Sequence, residues 1–443
     1  MSATLTQTIN PEARFLEAFA LKEGHTLNGA NPHLHGLRRD AIDHFKRLGF
    51  PAPKAEAWKY TPITRRLDGG YALSPKAKPT PLSPADVVPF LIPNLGAHVA
   101  VMVNGRFDPC LSNLTDVPEN MIVCGLSEAN EGHANLFNRH FGEYADASKE
   151  VFTALSTAFS RDGLFVYVPR HMVVKRPLHI VHLIHTPERL FLQPRILVVV
   201  DERSQMRIVE SRCAVSDANT FSNTVMECSV GKHARVDHCL IQNEGADAVQ
   251  VATLAAYQRG DSFFSTNTIT LSGAVVRNNF SFLPDAEHCE THLHGLYIAG
   301  GKMHVDTHTL VDHAQPECFS NELYKGIIDE KATGVFNGKV YVRPDAQQTN
   351  AYQSNKTVLL TDTARMYAKP ELEIYADDVK CSHGATTGQL DAEALFYLRS
   401  RGLTESMARN LLLTAFARDV LDYISLESVR EYLDTVITRR LES

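Results

Sequence analysis

Turn formers recur at short, nearly even intervals through the second half of this chain, and that spacing narrows its possible folds more than any other feature. They fall at Gly260-Asp261, Ser272-Gly273, Ala286-Glu287, Gly300-Gly301, Gln315-Pro316 and Glu330-Lys331. Intervals of about 12 to 15 residues, each holding one or two short strands, suit a solenoid in which strand stacks on strand. A β-sandwich is the competing arrangement, and it would show two-residue hairpins between longer strands. Asn337-Gly338 is the one strong hairpin signal here. The spacing therefore predicts a mainly β fold with a parallel β-helix core.

The strand series ends within residues 341–388, at Cys381-Ser382-His383-Gly384. Val358-Leu359-Leu360 and Leu372-Glu373-Ile374-Tyr375 read as brief strands bounded by Thr361-Asp362, Lys369-Pro370 and Asp377-Asp378. Cys381 and His383 stand two residues apart. On an extended segment they project from one face, placing a soft metal ligand beside a borderline one.

Both flanks have helical character. Phe15, Leu16 and Phe19, then Leu37, Ile42, Phe45 and Leu48, carry helical spacing, with Gly24 and Gly49 as stops. Trp58, the only tryptophan, follows in Glu56-Ala57-Trp58-Lys59-Tyr60-Thr61, either as a packing anchor or as a stacking platform. Prolines at 75, 79, 81, 84, 89 and 93 predict an extended connector, with a strand at 98–103 and helices around 145–160 beyond it. After Gly388 three helices are expected. The second carries a stripe of Met407, Leu411, Leu412, Ala415, Phe416, Val420, Leu421 and Ile424, which packs on the solenoid or waits for a partner. The domains expected are 1–160, mostly helical with the proline-rich connector; 161–388, the β-helix; and 389–443, helical.

A net charge of -7 without a basic patch argues against nucleic acid. Apolar runs such as Ile196–Val200 are far shorter than the roughly 20 residues of a membrane span. The start of the chain resembles neither a secretion signal nor a transit peptide, so a cytoplasmic location is expected. Eight cysteines without a CxxC pair point to reduced, mostly buried thiols. No P-loop, no dinucleotide fingerprint and no nucleophile elbow is present. His288, His292, His294, His304, His308 and His313 crowd one stretch with Cys289, Asp306 and Asp312, as metal ligands or as a polar ladder.

The segments Met303–His313, Leu323–Gly326, Gly334–Lys339, Asp345–Gln353 and Glu373–Thr386 closely resemble the SufB/SufD family of iron-sulfur cluster assembly proteins. Cys381-Ser382-His383-Gly384 and Glu56–Thr61 resemble its SufD members, and the likeness runs from about residue 10 to the C-terminus. That resemblance implies a right-handed parallel β-helix between N-terminal and C-terminal helical domains, and a non-catalytic scaffold subunit. It further implies SufB and SufC as partners, SufC being the ATPase that supplies the missing P-loop. SufC would dock on the helices after Gly388, and SufB would pair with the last strands. His383, with Cys381 beside it, matches the position where a nascent iron-sulfur cluster forms at the SufB/SufD interface. Reduced flavin is associated with such complexes, although nothing in the sequence marks a flavin site. A second reading is a stable homodimer acting alone as a β-helix interaction protein, since the open end can pair with itself through the SufB-facing edge when SufB is absent. The rival from another class, a carbohydrate-active β-helix enzyme, needs clustered carboxylates on one face, and residues 260–345 offer histidines instead.

Overall fold

The computed structural model describes residues 11–26, 31–52, 54–67, 70–74, 80–160, 162–216 and 219–442. Successive strands alternate between two sheets, each of ten strands. From Val249–Gln258 onward the order runs Phe263–Ser272, Val275–Pro284, Glu290–Ala299, His304–His313, Phe319–Ile328, Thr333–Val342, Asn350–Leu359, Arg365–Ile374 and Lys380–Gly388. Every neighbouring pair in this series is parallel, so the chain winds as a two-sided parallel β-helix.

Alignment down one sheet, Phe263↔Glu290↔Phe319↔Asn350↔Lys380, advances by 27, 29, 31 and 30 residues. One coil is thus about two of the turn intervals seen in the sequence, and all six predicted turns fall between strands. The strands fill nearly all the space between turns. Those predicted around Val358 and Leu372 are ten residues each, Asn350–Leu359 and Arg365–Ile374.

Each coil turns one corner through a non-glycine residue in the left-handed region: Arg203, His233, Asp261, His288, Glu317 and Gln348, with φ between 55° and 60°. Backbone N–H groups there donate to the next coil, as from Asp261 to Glu287 O at 3.0 Å and from Glu317 to Gln347 O at 2.9 Å. Stacked hydrogen bonds offset the cost of a conformation that L-residues avoid.

Asn337-Gly338 is not a hairpin; it lies in the middle of Thr333–Val342. Glycine is required there by close approach, because a Cβ would stand 2.4 Å from Gln353 Nε2 and 2.7 Å from Phe336 Cζ. Gly24 does not stop the first helix, which continues to Thr26. Gly49 does cap the second, Pro32–Leu48, at φ 64° with its N–H on Phe45 O. Of the proline-rich connector, residues 75–79 lie outside the described residues. Pro84 opens a short helix, Pro84–Val87.

The two helical flanks cover opposite outer faces. Phe15, Phe45, Phe50 and Phe152 form an aromatic cluster on Phe221, Val249, Val251 and Val275 of one sheet. Trp58 is part of it, 5.2 Å from Phe152, with the Arg277 guanidinium 4.3 Å from its ring, so it is a packing anchor. On the other sheet, Leu413, Ala417, Val420, Leu421, Ile424, Leu433 and Ile437 cover Val209, Ile241, Ile269, Leu296 and Ile327. Burying each such side chain contributes about 1.5–3 kcal/mol, enough to hold this stripe on its own solenoid.

At its N-terminal end the solenoid is closed by reversed strands. Arg106–Asn113 pairs antiparallel with His98–Val103 through an irregular register, and Ile122–Gly125 pairs antiparallel with Leu164–Val168. Buried Glu227 fastens the chain leading out of this end. Its carboxylate accepts from the N–H groups of Gly142 (3.0 Å), Tyr144 (2.8 Å) and Ala145 (3.0 Å) and from Arg195 Nη2 (2.5 Å).

Candidate functional site

The C-terminal end of the solenoid is open. Lys380–Gly388 and Arg365–Ile374 are the last strands of their sheets, each paired along one edge only. Alignment places Ala351 opposite Cys381 and Gln353 opposite His383. Ala351 packs with Val340 and Val342 across the interior, and Cys381 and Leu372 join that group. Cys381 and His383 therefore both project from the inward face of the final strand, as the two-residue spacing predicted.

Their environments differ. Cys381 is half-buried, and burial raises its thiol above the ordinary range, which keeps it protonated and a weak nucleophile at neutral pH. His383 is exposed, with its imidazole at the mouth of the solenoid. A thiol and an imidazole from one edge supply two donors of the kind that hold iron-sulfur clusters. A four-coordinate metal needs further donors from outside this edge. Among the described residues, no three of His, Cys, Asp and Glu come together in a group that could hold a metal ion.

Beneath His383 runs a polar column that sequence reasoning missed, because only the coil register brings its members together. Glu322 aligns with Gln353 and Gln353 with His383. Glu322 is buried, accepts from Thr309 Oγ1 at 2.7 Å, and has its carboxyl pushed up to about 7 by burial. An acid with a raised folded pKa binds a proton that the unfolded chain has released. Its contribution is therefore present below about pH 4.5 and is lost as pH rises through about 7. The Glu322→Gln variant should match the parent chain at pH 4.5 and exceed it by about 3 kcal/mol at pH 8. Urea unfolding at the two pH values measures this; an equal offset at both would show that Glu322 does not titrate in this window. His179 and His313 act in the opposite sense. Burial lowers both to about 4, so their contribution is lost as pH falls from 6.5 toward 4.

The clustered histidines separate onto three surfaces. His294 stacks on Tyr423 of the C-terminal helices, with ring centroids 3.9 Å apart. On the opposite outer face, His304 Nε2 lies 2.8 Å from the Thr61 hydroxyl, and Asp306 binds Thr61, Arg277 and His308. His313 faces inward, 2.9 Å from Ser320 Oγ. These contacts explain Glu56–Thr61, which forms a strap across several coils. Glu56 pairs with Lys369 at 3.0 Å and Tyr60 stacks on Tyr367 at 4.2 Å, so the strap reaches the open-end strand Arg365–Ile374.

The predicted apolar stripe divides: Val420, Leu421 and Ile424 pack on the solenoid, and Met407 and Leu411 face outward. Leu413, Ala417, Val420 and Leu421 are buried on the solenoid. Phe396, Tyr397, Met407 and Leu411 are more than half exposed and form no part of that core. Among the described residues, no helix is long and apolar enough to cross a membrane.

The fold is a parallel β-solenoid, open at one end and carrying a thiol and an imidazole at that edge. Residues 182–416 match the family described as "SUF system FeS cluster assembly, SufBD core domain", and residues 9–180 match "SufBD protein N-terminal region". An iron-sulfur cluster assembly SufBD family protein of Synechocystis sp. is 34% identical over 99% of this chain and 98% of its own length. The iron-sulfur cluster assembly protein SufD of Escherichia coli is 28% identical over 90% of this chain and 91% of its own, and that of Bacillus subtilis 24% over 99% and 100%. The chain belongs to the SufB/SufD family of iron-sulfur cluster assembly proteins.

Proposed function

We propose that this chain is a SufD-type scaffold subunit that pairs through its open end with a SufB-type subunit and docks a SufC-type ATPase on its C-terminal helices. The observation that carries the reading is the placement of Cys381 and His383 on the inward face of a strand whose outer edge has no neighbour in the described residues. A partner strand added there would bring its own donors against these two. The nascent cluster is cargo, held between the subunits, and the chain itself performs no catalysis. His383 would contribute a ligand or handle a proton, and Cys381 would ligate once metal displaces its proton.

Exposed Phe396, Tyr397, Met407 and Leu411 support helix-face docking, since a second protein must cover an apolar patch of this kind. A nucleotide-hydrolysing partner would supply the P-loop this sequence lacks.

The test is co-expression with SufB-type and SufC-type partners, with complex mass from light scattering and with iron and sulfide content. A complex that holds cluster only when the SufB-type subunit is present supports the reading. In that complex His383→Ala is expected to lower iron and sulfide by at least about tenfold without changing its mass. Normal cluster content in that variant would remove His383 from the site. A chain that stays a homodimer in the presence of both partners would remove the scaffold reading itself.

A further inference from the structure

Two cysteines outside the open-edge site occupy equivalent corners of consecutive coils. Phe319 N–H donates to Cys289 O at 2.9 Å, so Cys289 and Cys318 precede a register pair and stack one coil apart. Neighbouring strands lie about 4.8 Å apart, within the Cα separation that a disulfide spans. The side chains converge as well. Both Sγ atoms lie 3.2 Å from the same acceptor, Ala286 O.

We propose that Cys289 and Cys318 form a reversible disulfide under peroxide, a covalent staple between two coils of the solenoid. The two thiols have different roles. The neighbouring Cys318 side chain draws the Cys289 thiol below its ordinary range, and Cys289 pushes that of Cys318 up. Ser262 Oγ, 3.8 Å from Cys289 Sγ, donates to that sulfur. Cys289 is the attacking thiolate and Cys318 the resolving thiol.

In the first step the Cys289 sulfur bonds to one peroxide oxygen as the O–O bond breaks. This yields the sulfenic acid and a hydroxide that takes up a proton. In the second, the Cys318 sulfur displaces that oxygen as water and loses its own proton. Two thiols and one hydrogen peroxide thus give one disulfide and two waters.

Access is shallow rather than deep. Both cysteines are buried, but each directly follows an exposed corner residue, His288 or Glu317. Those two pair at 3.0 Å with side chains half exposed, so each thiol lies one residue from the surface. Cys228 and Cys239, inside the solenoid and under the C-terminal helices, have no such opening.

The test is to treat the full chain with hydrogen peroxide, block the remaining thiols with iodoacetamide in denaturant, and map the peptides without reduction. A linked pair containing Cys289 and Cys318, 2 Da lighter than its reduced parts and released by dithiothreitol, is the expected product, with Cys228 and Cys239 still alkylated. In Cys318→Ser, Cys289 should be trapped by dimedone as sulfenic acid or pass on to sulfinic acid. Peptides in which both cysteines remain alkylated after exposed Cys110 is oxidised would overturn the proposal. Mapping of the unsubstituted chain decides this even if the serine variant does not fold.

Discussion

Replacing Gly295 with alanine is expected to destabilise the protein by about 3 kcal/mol or more, a large part of the roughly 5–15 kcal/mol that holds a typical domain folded. Gly295 lies opposite Tyr324 in the next coil, and Gly326 lies opposite Tyr297. Each tyrosine ring rests on the bare backbone of the other coil's glycine. A Cβ on Gly295 would stand 2.2 Å from Tyr324 Cδ1, and one on Gly326 2.3 Å from Tyr297 Cζ. Both rings are nearly fully buried and have nowhere to move. Urea midpoints measure the loss. Gly384→Ala, whose added Cβ meets nothing within 4 Å, should stay within about 0.5 kcal/mol of the parent. Gly295→Ala combined with Tyr324→Leu should recover part of the stability, because the collision is with the ring.

Glu227→Ala should cost about 3–5 kcal/mol and free the segment it anchors. Arg195 is completely buried, and its Nε and Nη1 already lack partners. Without Glu227 its charge has no counter-ion, and the N–H groups of Gly142, Tyr144 and Ala145 lose their acceptor. Hydrogen exchange should show those amides exposed in the variant while the coils beyond Phe263 stay protected. Removing both charges together, as Arg195→Met with Glu227→Leu, should restore much of the stability without restoring protection at 142–145. If the double variant is no better than Glu227→Ala, the unpaired guanidinium is not the source of the loss.

The solenoid was legible in the sequence because turn formers fall at about half the coil length. The exact corners were not, since the residues that turn them are Arg203, His233, Asp261, His288, Glu317 and Gln348 rather than glycines. Stacking between coils stabilises these conformations, and a local pattern does not reveal such partners. The same reason hides Asn337-Gly338, where glycine answers a contact with Gln353 from another coil. The shared face of Cys381 and His383 was legible because their spacing of two is local. Glu322, Gln353 and the Cys289–Cys318 pair are separated by about one coil each and become neighbours only through register. Histidine density misled in the opposite direction: residues close in sequence are sent to the inside and to two outer faces by strand alternation.

The two ends of the solenoid are unlike, and this limits stoichiometry. At the N-terminal end the strands reverse direction and the register of His98–Val103 with Arg106–Asn113 is irregular, so that end does not offer a parallel template. Among the described residues, the C-terminal end presents a parallel row of unpaired backbone groups, whereas the edge strands at the N-terminal end run antiparallel to their neighbours. An object with one adhesive end forms pairs and stops, whereas one with two matching ends would polymerise into a filament. Backbone hydrogen bonding at that end accepts any extended strand, a second copy of this chain included. Selectivity among strands at that end is therefore left to the side chains that line the final strand.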